Sequence, residues 1–248
     1  MAEITFVGTG EAFDPELPNT SLLYRGSRTV LFDCGYSVPQ AFWRLSRNPS
    51  LLDAVYVTHL HADHSFGLPA LLLWMRDAGR RRPLQVLGGP GVEAWLKKLL
   101  DLAYPLSYAK DRCYSIEARA VTPGRVLSLG RLRLTNAKSA HSVRNLSVRV
   151  EDAGRIFCYS GDGAPSAATR ALYRGSHVLV HECYSGGRAV KGHASLAEVL
   201  ELAEHSAVST LCLLHIARAQ KTQVKKRVLR GRRRFRVLIP APGDAVAV

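Results

Sequence analysis

The segment Thr58-His59-Leu60-His61-Ala62-Asp63-His64 constrains this chain more than any other part of it. It follows directly on Val55-Tyr56-Val57, a β-branched and aromatic run that reads as a strand. Four metal-capable side chains therefore fall within six residues where a strand leaves a sheet. On such a turn alternate residues converge, so His59 and His61 can share one metal. Asp63 and His64 then sit where the next helix begins and can face a second. Imidazole and carboxylate ligands suit Zn²⁺, Mn²⁺ or Fe²⁺, and the lack of a thiolate argues against a structural zinc knot. The plainer reading is a polar loop that caps a helix. Three histidines beside an aspartate at a strand end make that reading hard to sustain.

Around this segment, apolar β-rich runs alternate with longer amphipathic ones. Ile4 to Val7, Ser21 to Tyr24, Thr29 to Phe32 and Asp53 to Thr58 read as strands. Gly67 to Ala78 reads as a helix with Pro69 in its first turn. Leu84 to Leu87 is a strand, and Gly88-Gly89-Pro90 turns into a helix through about Ala103. Strands follow near 113–119, 131–137, 145–150 and 155–160. Then Ser166 to Tyr173, Val178 to Val180, Leu196 to His205 and Thr210 to Leu214 alternate helix and strand. Val224 to Leu229 reads as a helix and Val237 to Ile239 as a last strand. A β-rich stretch followed by helix–strand alternation, twice over, predicts an α/β protein with two sheets packed face to face and helices outside. Its 248 residues suit a single domain, 1–248, of two similar halves divided near 120–130.

The signature His-x-His-x-Asp-His after a strand resembles that of the metallo-β-lactamase superfamily. The likeness extends over nearly the whole chain. Phe6-Val7-Gly8-Thr9-Gly10, Asn19 with Ser21, Leu31-Phe32-Asp33-Cys34-Gly35 and Gly67-Leu68-Pro69 are similar to segments of the ribonuclease Z branch. The resemblance implies a four-layer αββα sandwich and a dinuclear centre. It implies His141 in Ser139-Ala140-His141-Ser142 as the third histidine of the first metal, Asp162 in Ser160-Gly161-Asp162 as the bridging carboxylate, and His215 after Leu213-Leu214 as the last ligand. The implied set is His59, His61 and His141 on one ion, Asp63, His64 and His215 on the other, and Asp162 on both. Two divalent cations, zinc with manganese or iron as alternatives, would lower the pKa of a shared water and make a nucleophile at neutral pH. Asp63 would orient that nucleophile or take its proton.

His181-Glu182 and Gly192-His193-Ala194-Ser195 are similar to the His-Glu-Ala-Thr and His-Ser-Thr segments of the same branch. The likeness implies that His193 contacts a phosphate or leaving-group oxygen and that Glu182 orients His193. The plainer reading places His193 in a helix-entry loop, with Ser195 capping the helix from Leu196. His177 and His205 lack motif context and are read as structural. The branch usually carries a long tRNA-gripping arm between the third histidine and the bridging aspartate. Here only about twenty residues separate His141 from Asp162, enough for two strands and a turn. Tyr36-Ser37 also stand where the branch commonly has Glu-Gly.

The implied function is a metal-dependent phosphodiesterase acting on RNA or a smaller phosphodiester. Carboxylic ester, thioester or lactone hydrolysis on the same centre is the first alternative, and a non-catalytic nucleic-acid-binding protein the second. The net charge of +14 makes an anionic partner an expectation. Arg80-Arg81-Arg82 and the stretch Lys221 to Arg236 are the candidate RNA contacts, against a solvated surface as the plainer reading. A homodimer is a further expectation. No run approaches the roughly 18 apolar residues of a membrane span, and the start reads as a strand, so a cytoplasmic protein without a membrane partner is expected. Five scattered cysteines, with no Cys-x-x-Cys pair, read as buried thiols.

Overall fold

The computed structural model describes residues 2–105 and 113–248. Its strands are β1 (Glu3–Gly8), β2 (Ser21–Arg25), β3 (Thr29–Phe32), β4 (Ala54–Tyr56), β5 (Leu84–Gly88), β6 (Ile116–Ala120) and β7 (Leu127–Leu129). They continue as β8 (Leu132–Lys138), β9 (Leu146–Asp152), β10 (Arg155–Tyr159), β11 (Val178–Glu182), β12 (Thr210–Leu214), β13 (Arg236–Leu238) and β14 (Ala245–Ala247). The helices are α1 (Val38–Leu45), α2 (Ala62–Ser65), α3 (Leu68–Asp77), α4 (Val92–Ala103), α5 (Ala167–Tyr173), α6 (Leu196–His205) and α7 (Lys221–Arg230).

Strand alternation sets the layers. In β3 and β4, Val30, Phe32, Ala54 and Tyr56 face one core while Leu31 and Val55 face another, and all six are buried. The strands are thus covered on both sides, which is why they read as continuous apolar runs. In β12, Cys212 and Leu214 join the same shared core as Phe32, and Leu211 and Leu213 face the opposite way. The shared core lies between two seven-stranded sheets, ordered β14-β1-β2-β3-β4-β5-β6 and β13-β12-β11-β10-β9-β8-β7. Phe32 meets Phe157 edge-on at 5.4 Å across that interface. Helices α1, α3 and α4 cover the first sheet through Phe42, Leu71, Met75 and Leu96. Helices α5, α6 and α7 cover the second through Tyr173, Val199, Leu202 and Val224. The result is a four-layer αββα sandwich.

Each sheet changes from an antiparallel meander to parallel crossovers. The parallel strands are β3 to β6 in the first sheet and β10 to β13 in the second. Ligands of open α/β sheets bind beyond the carboxyl ends of such strands. In this chain those ends carry Asp33, Thr58, Asp162, Glu182 and His215.

Three elements go beyond the sequence reading. Helix α1 forms because Val38, Ala41 and Phe42 share a buried face and Pro39 fits the first turn. Strands β7 and β14 have only three residues each, too few for a periodic signal. β14 exists because β1 would otherwise be an open edge. Helix α7 is longer than the apolar span Val224 to Leu229, since its basic residues continue the helix on the solvent side. The strand expected near 113–119 begins at Ile116, after residues outside those described. Cys34, Cys158, Cys183 and Cys212 are buried free thiols and Cys113 is half-buried. No helix among the described residues is long and apolar enough to cross a membrane.

Arg80 corrects an expectation. It does not contact RNA, because it is fully buried. Its guanidinium donates to the carbonyls of Arg82, Pro49, Leu52 and Pro83 at 2.7–2.8 Å. It also lies 5.2 Å from the centre of the Tyr114 ring. A cation survives there because four of its five N–H donors are bonded and an aromatic face covers it. Arg80→Ala should lower stability by about 3 kcal/mol in urea unfolding, because it empties a fully buried side-chain site and leaves four carbonyls, that of Leu52 buried, without their donor. Arg81→Ala, at an exposed position, should stay within about 0.5 kcal/mol.

Candidate metal centre

The site forms where both sheets end. His59 follows β4, and His61, Asp63 and His64 occupy the turn into α2 and its first residues. The second sheet supplies His141 from the β8–β9 connection, Asp162 after β10 and His215 after β12. Two backbone features aim these groups. Gly161 and Gly163 flank Asp162 at φ 59° and 111°, and a Cβ on Gly161 would meet Asn145 Oδ1 at 2.3 Å. Only glycine fits that turn. His215 itself is left-handed, at φ 51°, which turns its ring back toward Asp162.

The seven donors fall into two groups. His61 Nδ1 lies 3.1 Å from His59 Nε2 and 3.3 Å from His141 Nε2. Asp63 Oδ2 is 3.3 Å from His64 Nε2, and Asp162 Oδ1 is 3.2 Å from the same nitrogen. Asp162 Oδ2 is 3.4 Å from His215 Nε2, 3.9 Å from His59 Nε2 and 4.0 Å from His141 Nε2. Asp162 thus touches both groups. Tetrahedral coordination at about 2.0–2.1 Å puts neighbouring ligand atoms roughly 3.3 Å apart, the spacing found within each group. A further observation supports the fit. His64 Nε2 and Asp162 Oδ1 are buried and neither makes a well-formed hydrogen bond in the protein. Buried polar atoms left in that state are costly, and a shared cation between them removes the cost. The residues fit a pair of divalent cations.

In four of the five donor histidines, the ring nitrogen that faces away from the donors is held by the protein. His64 Nδ1 is 2.8 Å from Asp33 Oδ2, His141 Nδ1 is 2.7 Å from Gly192 O, and His59 Nδ1 is 3.1 Å from Thr58 Oγ1. His215 Nδ1 is 3.4 Å from Thr20 Oγ1. These contacts orient the rings and select the tautomer that presents the other nitrogen.

Protonation follows from charge and burial. Burial and the neighbouring histidines His64 and His141 hold His59 well below its usual range, and burial also lowers His61. Both are therefore neutral and open to coordination. Burial works against charge on His64, but the Asp162 and Asp33 carboxylates outweigh it and hold His64 well above. Burial opposes charge on Asp162 too, yet His215 and His64 keep its carboxyl well below the usual carboxylate range. A cation held by His64 Nε2 and Asp162 would displace the proton that an imidazolium carries on Nε2, so uptake should release protons.

His193 and Glu182 form a third feature beside the donors. His193 Nδ1 is 3.0 Å from Glu182 Oε1. Glu182 is buried, and its other oxygen accepts from Tyr184 N at 3.2 Å. The Tyr184 ring stacks on His193 with centroids 4.5 Å apart. His193, His141 and Asp162 each offer a ligand atom within 4.8 Å of the others, so the free His193 nitrogen faces the centre. Burial pushes the His193 pKa down, but the Glu182 hydrogen bond and charge outweigh it and raise the value. Ser195 caps α6 in a box with Glu198, so the helix-entry role and the His193 contact coexist.

All nine residues singled out from the sequence meet at this seam. Asp33, Thr58 and Tyr184 belong to it as well. Asp33 stood in a quoted motif without a role, and nothing in its local sequence shows that its carboxylate reaches His64. Tyr184 stands two residues after Glu182, with no signal that its ring covers His193. His177 and His205 lie apart from the centre and bond to backbone groups.

The densest parts of both basic clusters lie away from the donors. β13 runs parallel to β12 with Arg236 opposite Thr210, so Arg232–Arg234 sit at the start of β12 while His215 follows its end. Helix α7 spans that separation, about 15 Å for ten residues. Arg82 bonds Asp53 just before β4, again at the end away from His59.

A family profile described as Anti-Pycsar protein Apyc1 matches residues 2–232. Ribonuclease Z from Methanothermobacter thermautotrophicus is 28% identical over 90% of each chain. The metallo-beta-lactamase fold protein YhfI from Bacillus subtilis superposes with a TM-score of 0.83 at 20% identity, covering 99% of this chain and 98% of that one. The short form of human tRNase Z gives 0.80 at 18% identity over 99% and 98%. These structural likenesses establish the fold.

Asp33→Asn should weaken metal binding about 10–100-fold, since it disrupts the orientation of His64. Competition against a calibrated chelator reads the change. Adding zinc to chelator-stripped protein should raise its thermal midpoint, and Asp162→Ala should largely abolish that rise.

Proposed function

The chain belongs to the family described as Anti-Pycsar protein Apyc1, and we propose that it is a dinuclear metal-dependent phosphodiesterase whose substrate is a small or terminal phosphodiester. His59, His61 and His141 would hold one cation, Asp63, His64 and His215 the other, and Asp162 both. Five histidines with two aspartates suit Zn²⁺, with Mn²⁺ or Fe²⁺ as alternatives, and suit Mg²⁺ or Ca²⁺ poorly. When bound, the cations would supply Lewis-acid stabilisation of phosphoryl oxygens and a water of lowered pKa.

The observation that carries the phosphodiester reading is the His193–Glu182 pair at 3.0 Å beside the donors. Phosphodiester cleavage builds negative charge on phosphoryl and leaving oxygens, which a protonated imidazole can bond or protonate. Glu182 keeps the proton on His193 and fixes the ring through Nδ1, leaving Nε2 for the substrate. Tyr184 closes one face of His193 and limits its rotation. Asp63, held as a carboxylate by His64 and His215 against the opposing effect of burial, is placed to accept the proton of the attacking water. Acyl transfer has no comparable need for an acid on this side.

Substrate size follows from the short His141–Asp162 connection. It is consumed by β9 and β10, which pair antiparallel from Asp152–Arg155. No arm is left to grip a folded RNA, Arg82 and Arg232–Arg234 lie at the far end of the sandwich, and Lys221 and Arg227 at the near part of the second cluster are taken by Asp14 and the Gly186 carbonyl. An RNA end remains the second reading, supported by relatives named ribonuclease Z.

The metal-loaded protein should turn over bis(p-nitrophenyl) phosphate and cyclic nucleotides faster than a tRNA precursor. Turnover of none of the three, or faster cleavage of p-nitrophenyl acetate, would sink the reading. His193→Ala should lower kcat by about 10²–10⁴. Glu182→Gln tests the pair by pH. With the carboxylate gone His193 loses its proton at lower pH, so the basic limb of the rate profile should move toward acid. An unmoved limb would exclude His193 as the acid.

A further inference from the structure

A cavity of about 990 Å³ opens where α5 meets the outer face of the β8–β9 hairpin, and none of the metal-centre donors lines it. Its apolar lining includes Ala137, Ala168, Ala171 and Leu172. Around that lining stand Arg133, Lys138, Arg144, Arg149 and Arg174, against one carboxylate, Glu151. Glu151 is taken by Arg149 Nε at 2.7 Å. Arg149 is further fixed by the carbonyls of Leu172 and Arg174 at 3.1 and 2.8 Å. Arg133, Lys138, Arg144 and Arg174 are exposed, and no salt bridge to them occurs among the described residues.

Four unpaired cations around one apolar hollow raise the local potential and repel one another. An anion relieves both effects. The hollow asks for an apolar body as well, and its volume matches a compact ligand rather than a polymer. Four of the five cations are arginines, whose planar groups stack on aromatic rings and fork onto phosphate oxygens.

The geometry points to a second, metal-independent binding site here for a nucleoside monophosphate. The base would lie on the alanine-lined floor and the phosphate against the arginine rim. Lys138 precedes His141 by three residues, at most roughly 10 Å of chain, so the ligand would sit beside the metal centre without entering it. The assignment rests on this cavity alone and holds whether or not the centre cleaves phosphodiesters.

Isothermal titration of 5′-AMP into the full chain, after metal removal with chelator, tests the site. Inorganic phosphate and adenosine serve as separate titrants. Expected is saturable binding of one AMP per chain that survives chelation, roughly tenfold or more tighter than either fragment. Arg133→Glu with Arg174→Glu should weaken it at least about tenfold, and Lys138→Glu with Arg144→Glu should do the same. All four positions are exposed, and unchanged circular dichroism checks the fold of each variant. The proposal is overturned by absent saturation, by loss of binding on chelation, by equal affinity for phosphate alone, or by full affinity in both double variants.

Discussion

The carboxylate of Asp33 joins parts of the molecule that otherwise only abut. It follows β3, is fully buried, and accepts from Thr58 N at 2.7 Å, Thr58 Oγ1 at 2.9 Å and Tyr159 Oη at 2.8 Å. It also lies 2.8 Å from His64 Nδ1. One group thus links the ends of β3 and β4, a strand of the opposite sheet and His64. An ionised carboxylate away from water is tolerable only when bonded this fully. Its backbone is left-handed, at φ 61°, a conformation that costs a non-glycine residue something the surrounding bonds must offset. Burial, with Asp33 beside it, pushes the Tyr159 pKa well above its usual value, so the phenol stays a donor.

That linkage explains why the centre lies at the seam. The first sheet supplies His59, His61, Asp63 and His64, and the second supplies His141, Asp162 and His215. Neither set completes a coordination shell by itself. Bringing them together concentrates acidic and basic groups in a dry space, where each raises or lowers the protonation of the next. The same crowding that would destabilise a bare cluster makes it receptive to cations. His193 is held to the rim by Glu182.

Net charge has been a poor guide to where anions meet this molecule. Three adjacent arginines at 80–82 looked like a phosphate contact. One of them is a buried strut and another is paired with Asp53. The run from Lys221 to Arg236 lies along a helix and loop that lead away from the donors. The hollow beside α5 gathers four cations without carboxylate partners from residues scattered between 133 and 174.

The amino-acid sequence by itself determined the layer scheme and the identities of the metal-capable residues. Both are local facts: strand alternation is set by a two-residue period, and the histidine signature lies within one turn. The likeness of short motifs extended that reading to His141, Asp162, His215, Glu182 and His193. What local pattern could not carry was any contact made across the sheets. The burial of Arg80, the reach of Asp33 to His64, the stacking of Tyr184 on His193 and the pairing of β14 with β1 join residues that come together only on packing. Tertiary structure decided those, because whether a polar side chain is solvated or enclosed depends on what packs over it and not on its neighbours in the chain.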